Sequence, residues 1–139
     1  MEELTLAIIK PDAIHRNLVG KIIARYEESS LRVAAMKLKQ LTRHEVESFY
    51  EEHRARPFFN EIVGAMSAKP VVLLVLEGKD AVLRHRKIIG ATDPAKAAEG
   101  TIRKLYAKSI GENSVHGSDS LQAAHREISY FFSNSEIYK

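Results

Sequence analysis

Val71 to Leu76 is an unbroken apolar run. A strand with no polar alternation has no face to offer water, so this segment predicts a central strand covered on both faces, ended by Gly78. Leu4, Leu6 and Ile8 alternate with Thr5, Ala7 and Ile9, which predicts a second, largely buried strand at the start of the chain. Lys10-Pro11-Asp12 stops it and a loop follows, because proline cannot donate to a sheet ladder. Residues 33 to 41 alternate again, with Lys37 and Lys39 expected on the outer face and Met36 and Leu38 inside. Val115-His116 predicts a last, short strand.

Helical spacing fills the intervals. Val19, Ile22, Ile23 and Tyr26 form one apolar face. Thr42 and Glu45 have the capping-box spacing and open a helix carrying Val46, Phe49 and Tyr50. Pro57 opens another, with Phe59, Ile62, Val63 and Met66 as its stripe. A helix from about Asp80 to Ile89 is terminated by Gly90. Asp93-Pro94 starts a helical turn that Gly100 closes, and residues 101 to 113 are expected to be a loop with little regular structure. Asp119 or Ser120 caps a final helix with Leu121, Ala124, Ile128 and Phe131 on its apolar face. The order is βαββαβ with additions, a ferredoxin-like α+β fold: a four-stranded antiparallel sheet with helices packed on one face. A chain of 139 residues with no repeat, low-complexity tract or linker fits one domain, residues 1–139.

Composition narrows the chemistry. There is no cysteine, which excludes a disulfide framework, a thiolate zinc site and a cysteine nucleophile. The N-terminus is acidic where an export signal would be basic, and the first apolar run is too short to span a bilayer, so a cytoplasmic location with no membrane partner is expected. The net charge of +3 comes without a run of like charges of the kind that marks a nucleic-acid tail, and scattered cations suit a small anionic ligand equally well.

Of the six histidines, His44, His53 and His125 fall among charged residues of amphipathic helices and His15 in a polar loop. No two have the His-x-x-x-His spacing of a helical metal site. His116 stands apart. It ends a short strand and precedes Gly117-Ser118-Asp119, where a glycine allows close approach, a serine can donate a hydrogen bond, and a helix N-terminus turns its free N–H groups towards the region. Neutral imidazole in such a place can act as a nucleophile. Neither Gly-x-x-x-x-Gly-Lys-Ser/Thr nor Gly-x-Gly-x-x-Gly occurs, so phosphates would have to be held by side-chain cations, with Lys10, Arg56, Arg86 and Arg103 as candidates.

These residues together resemble the nucleoside diphosphate kinases along almost the whole chain. Asn113-Ser114-Val115-His116-Gly117-Ser118-Asp119 is similar to that family's phosphohistidine signature. Ile8-Ile9-Lys10-Pro11-Asp12 resembles its first strand and lysine, and Arg56-Pro57-Phe58-Phe59 its base clamp. His85-Arg86, Gly90-Ala91-Thr92-Asp93-Pro94 and Gly100-Thr101-Ile102-Arg103 resemble its phosphate-binding segments.

The resemblance implies a ping-pong exchange in which His116 takes the γ-phosphate of a nucleoside triphosphate such as ATP or GTP on Nδ1 and passes it to a nucleoside diphosphate. Glu127 would accept a hydrogen bond from the other ring nitrogen, and Ser118 would bond near this pair. Lys10, Arg86, Thr92 and Arg103 would bind phosphates, Tyr50 would stand near Lys10 and the moving phosphoryl group, and Asn113 would bind the ribose. The base would stack between Phe58 and an apolar residue such as Ile62 or Ile110. Mg²⁺ would be held mainly by nucleotide phosphates and water rather than by protein ligands, and a homo-oligomer, tetramer or hexamer, is implied. Lys104-Leu105, Leu121, Gln122 and His125 depart from residues common in relatives, none at a site position. Two rival readings are a phosphohistidine carrier, which would need no base clamp, and a nucleic-acid-binding module, which leaves residues 113–119 unexplained.

Overall fold

The computed structural model describes residues 2–109 and 112–139. Its centre is a four-stranded sheet in the order β2-β3-β1-β4, with β1 at Glu2–Ile9, β2 at Arg32–Lys39, β3 at Val71–Lys79 and β4 at Val115–Gly117. All three pairings are antiparallel. The apolar run Val71–Leu76 lies in β3, between β1 and β2, and all six residues are buried.

Burial on both faces decides the layering. Leu6, Ile8, Leu73 and Val75 point into one core, and Ala7, Ile9, Val72, Leu74 and Leu76 into another. Helices α2 (Val19–Glu28) and α5 (Ala81–Ile89), the two crossover helices, send Ile22, Tyr26, Ala81 and Ile89 into the second core. Helices α3 (Arg43–Phe49), α4 (Phe59–Ala68) and α7 (Leu121–Phe131) send Val46, Phe49, Phe59, Val63, Met66, Ile128 and Phe131 into the first. The expectation of helices on one face therefore holds for the ferredoxin-like crossovers alone. The additional helices close the opposite face, which two-sided apolar strands cannot leave in water.

Other differences have local causes. The pairing of β2 with β3 shifts between Val33 and Ala35, and this bulge buries Ala34 and Ala35 in succession. The alternation beyond it is reversed: Met36 and Leu38 are exposed, while the Lys37 ammonium lies 4.6 Å from the Phe132 ring centre and 3.2 Å from Glu136. Gly78 does not end β3. It stays in the strand, paired with Glu3, where a Cβ would come within 2.9 Å of Leu31, and Asp80, with φ of 51°, makes the turn into α5. Pro57 precedes α4 by two residues. Pro11 does not open a loop but begins the short helix α1 (Pro11–His15), which includes His15. Within residues 101–113, a short helix α6 (Ile102–Tyr106) replaces the expected loop. Thr101 caps it by accepting from the Lys104 N–H. Ser120, not Asp119, caps α7, and Leu121 is exposed. Among the described residues, no helix is long and apolar enough to cross a membrane.

Gly90 ends α5 with φ of 88°, and a Cβ on it would stand 2.6 Å from the Thr101 hydroxyl. Gly90→Ala therefore combines a left-handed backbone with a steric clash. It should destabilise the fold by about 1–3 kcal/mol, read as a lower urea midpoint at unchanged slope.

Candidate active site

His116 is the middle residue of β4, paired with Ile8 of β1. Lys10 N–H donates to the Ser114 carbonyl (2.9 Å) and Ser118 N–H to the Leu6 carbonyl (3.3 Å), extending the pairing beyond the strand at both ends. Residues 114, 116 and 118 thus face β1 with their backbone groups, and the carbonyls of Val115 and Gly117 point to the free edge. Two guanidiniums occupy that edge. Arg103 donates from Nη2 to the Val115 carbonyl (2.7 Å), and Arg86 from Nη1 to the Gly117 carbonyl (3.3 Å). Arg103 also donates from Nη1 to the Gly90 carbonyl (3.0 Å). Main-chain groups on either side of His116 therefore hold two cations beside it.

On its front face, the His116 imidazole meets Phe49 at 5.2 Å and Tyr50 at 5.8 Å between ring centres, both edge-on. Its Nε2 lies 3.0 Å from Glu127 Oε1, an oxygen that also accepts the Ser118 hydroxyl at 2.8 Å. Burial works to raise the Glu127 pKa, but the bonds from His116 and Ser118 and the charge of Arg126 hold it below its usual value. An ionised carboxylate only accepts, so Nε2 carries the proton and Nδ1 the lone pair. Burial lowers the His116 pKa below its ordinary 6.5, Glu127 opposes this, and Lys10 and Arg103 reinforce it. The ring is a neutral base near pH 7.

These groups open onto a cavity of about 730 Å³. It is lined by His116, Glu127, Lys10, Tyr50, Phe58, Arg86, Thr92, Arg103 and Asn113, and also by Arg56 and Ile62. Ser118 is buried behind it, in contact with Glu127. Ile110 lies outside the described residues. Lys10 sits where β1 gives way to α1, and its ammonium donates to Asn113 Oδ1 at 2.7 Å. Burial first and Arg103 second pull its pKa down to about 8, with Asp12 opposing. Arg103 is drawn down to about 10, by burial and then by Arg86. Tyr50 is pushed up by burial and by the Glu127 charge, so its hydroxyl keeps its proton. Asn113 is buried, with Nδ2 donating to the Thr92 carbonyl at 3.3 Å, while Phe58 is 57% exposed at the rim.

A family model described as nucleoside diphosphate kinase matches residues 3–137. The chain belongs to that family. It is 57% identical over 137 residues to the nucleoside diphosphate kinase of Phenylobacterium zucineum, covering 99% of each chain. It is 59% identical over 133 residues to that of Rhodopseudomonas palustris, covering 96% of this chain and 95% of the other. The fold superposes on crystalline Aquifex aeolicus nucleoside diphosphate kinase with a TM-score of 0.95 at 43% identity, covering 99% of both. A ferredoxin-like α+β fold is thus common to this chain and its kinase relatives.

The geometry of this family member adds residues that sequence reasoning passed over. Phe49 was legible only as an apolar helix position, yet its ring packs against His116. Asp12 accepts from the Ser114 N–H at 3.1 Å and so holds a residue with φ of 74° just before β4. Arg126 bridges Glu52 (3.1 Å) and Glu127 (3.8 Å) at the cavity wall. His85 does not line the cavity. It is fully buried behind β4, against the Tyr26 hydroxyl at 3.0 Å. Burial, followed by the nearby His116, Arg103 and Arg86, lowers its pKa to about 3.

That depression has a consequence for stability. Between pH 6.5 and about 3 the unfolded chain binds a proton at residue 85 that the folded chain refuses, so stability falls as pH falls through this window. His85→Phe removes the group. Its urea midpoint should decline less steeply than the parent's over the same window, a difference of at most a few kcal/mol.

Proposed function

We propose that this chain transfers the γ-phosphate of a nucleoside triphosphate to a nucleoside diphosphate through a phosphohistidine on His116. The observation that carries this reading is the bond from Nε2–H to Glu127, which leaves the Nδ1 lone pair on a neutral ring in a cavity lined by Lys10, Arg86 and Arg103.

In the first half-reaction Nδ1 attacks the γ-phosphorus, the bond from phosphorus to the β,γ-bridging oxygen breaks, and the diphosphate leaves with that oxygen. The ring then carries phosphorus on Nδ1 and hydrogen on Nε2, and is cationic. Glu127 balances the charge as it develops, and Ser118 fixes the carboxylate that does so. In the second half-reaction a terminal oxygen of another nucleoside diphosphate attacks the phosphorus and the P–N bond breaks, restoring neutral His116. The transition state is loose, so alignment and charge do most of the work. Lys10, Arg86 and Arg103 supply the charge, and Thr92 and the Tyr50 hydroxyl add neutral donors. Phe58 offers an exposed ring for any base, with Ile62 also lining the cavity, and stacking of this kind discriminates little among bases. Asn113 uses one hydrogen and one lone pair internally and retains one of each for a ribose hydroxyl.

Among the described residues no three histidine or acidic side chains converge into a metal cage. We read Mg²⁺ as carried in by nucleotide phosphates and water, where it would neutralise phosphate charge. We further read residues 1–139 as one domain, cytoplasmic, and assembled as a homo-oligomer, tetramer or hexamer. The exposed Met36 and Leu38 on edge strand β2 support self-association, which sedimentation velocity would size.

ATP labelled in the γ-phosphate, mixed with thymidine diphosphate and Mg²⁺, should yield labelled thymidine triphosphate through an acid-labile phosphoprotein. His116→Ala should form neither. A His116→Ala protein that still takes up acid-labile label would overturn the mechanism.

A further inference from the structure

His116 is held from the front by Phe49, Tyr50 and Glu127, and something must hold its strand from behind. The back of β4 rests on α5. The space where Gly117 would carry a side chain is filled chiefly by His85, with Ile89 beside it: a Cβ on Gly117 would stand 2.7 Å from His85 Nδ1, 2.8 Å from its Cε1 and 3.0 Å from Ile89 Cδ1. Real Cβ atoms do not approach ring atoms that closely, so the imidazole lies directly on the Gly117 backbone. The ring cannot easily retreat. Its Nε2 is bonded to the hydroxyl of Tyr26, itself fully buried in the core between the sheet and α2, and the two rings meet edge-on at 5.0 Å. The next residue on α5, Arg86, donates to the Gly117 carbonyl. Two successive residues of one helix thus set the height and tilt of the peptide that follows His116.

The chemistry of residue 85 is informative too. His85 Nδ1 is buried without a partner. A buried polar atom left unmatched is destabilising. An apolar ring would pack at this position without that penalty but could not bond Tyr26.

From this we infer that His85 is a positioning residue. Wedged between Tyr26 and the Gly117 backbone, it fixes β4 so that His116 Nδ1 meets the γ-phosphorus in line. The inference rests on His116 being the nucleophile. Misplacing a reacting group by about 1 Å can cost on the order of a hundredfold in rate, so a spacer at this point controls the chemical step without touching nucleotide.

The test is steric complementation, read as the single-turnover rate of His116 phosphorylation at saturating nucleotide, with each variant's folding checked by urea denaturation. Gly117→Ala should slow the step by roughly ten- to a hundredfold, because the new methyl lifts β4 off His85. Adding His85→Ala should restore much of the rate by vacating the space the methyl needs. His85→Ala alone should lower kcat more than it raises KM, and His85→Phe, which refills the volume, should retain more rate than His85→Ala.

A double variant no faster than Gly117→Ala overturns the inference, as does a folded Gly117→Ala with the parent's rate. Should Gly117→Ala fail to fold, the comparison of His85→Ala with His85→Phe decides, and equal rates for those two overturn it. A parent protein that takes up no γ-phosphate would instead overturn the reading of His116, so the two failures are distinguishable.

Discussion

The pairing of β4 with β1 is the constraint on which the site depends. β4 has three residues and pairs with one neighbour, so its ladder alone is a weak support. Its open edge is completed by arginine side chains, with Arg103 on the Val115 carbonyl and Arg86 on that of Gly117. A free sheet edge is a liability that proteins usually cover. Here the cover is cationic, and the exposed backbone of the strand becomes the anchor for two phosphate-binding candidates. His116 and the two cations beside it are thereby fixed to the same three residues.

The same arrangement governs protonation. Burial is the main reason Lys10 falls to about 8 and Arg103 to about 10, and a neighbouring cation adds to each shift, Arg103 beside Lys10 and Arg86 beside Arg103. A third effect of this positive field is to discourage a proton on His116. Glu127 works against it, but through Nε2, so it selects the tautomer while leaving Nδ1 free. The cations gathered beside His116, Lys10, Arg86 and Arg103, suit a polyanion, whose negative charge would relieve their repulsion.

Much of this was legible in the sequence. The buried run Val71–Leu76, the Thr42–Glu45 cap and the Gly90 terminus each depend on neighbours in the chain, and each is found where the spacing puts it. His116, Glu127, Lys10 and Asn113 were legible because their motifs stand in register with a family's. The differences have separate physical causes. Met36 and Leu38 were misassigned because a bulge reverses alternation without leaving a mark in the pattern. The α6 helix was missed because five residues give too little periodicity, although Gly100-Thr101 offered a cap signal. His85 was grouped with the phosphate-binding segment of Arg86 because adjacent residues look alike in a string, yet they point to different sides of β4.

The sequence by itself determined which residue types were available and which segments must be buried: a strand apolar on both sides, a histidine beside a glycine, and cations without a glycine-rich phosphate loop. Those properties are local, carried by side-chain chemistry and by periods of two and 3.6 residues. Only the tertiary structure decided that both sheet faces are covered, that Gly117 is small to admit His85, and that Arg86 and Arg103 grip the carbonyls beside His116. Each of these is a contact between segments distant in the chain, and no local period records which atoms packing will bring within 3 Å.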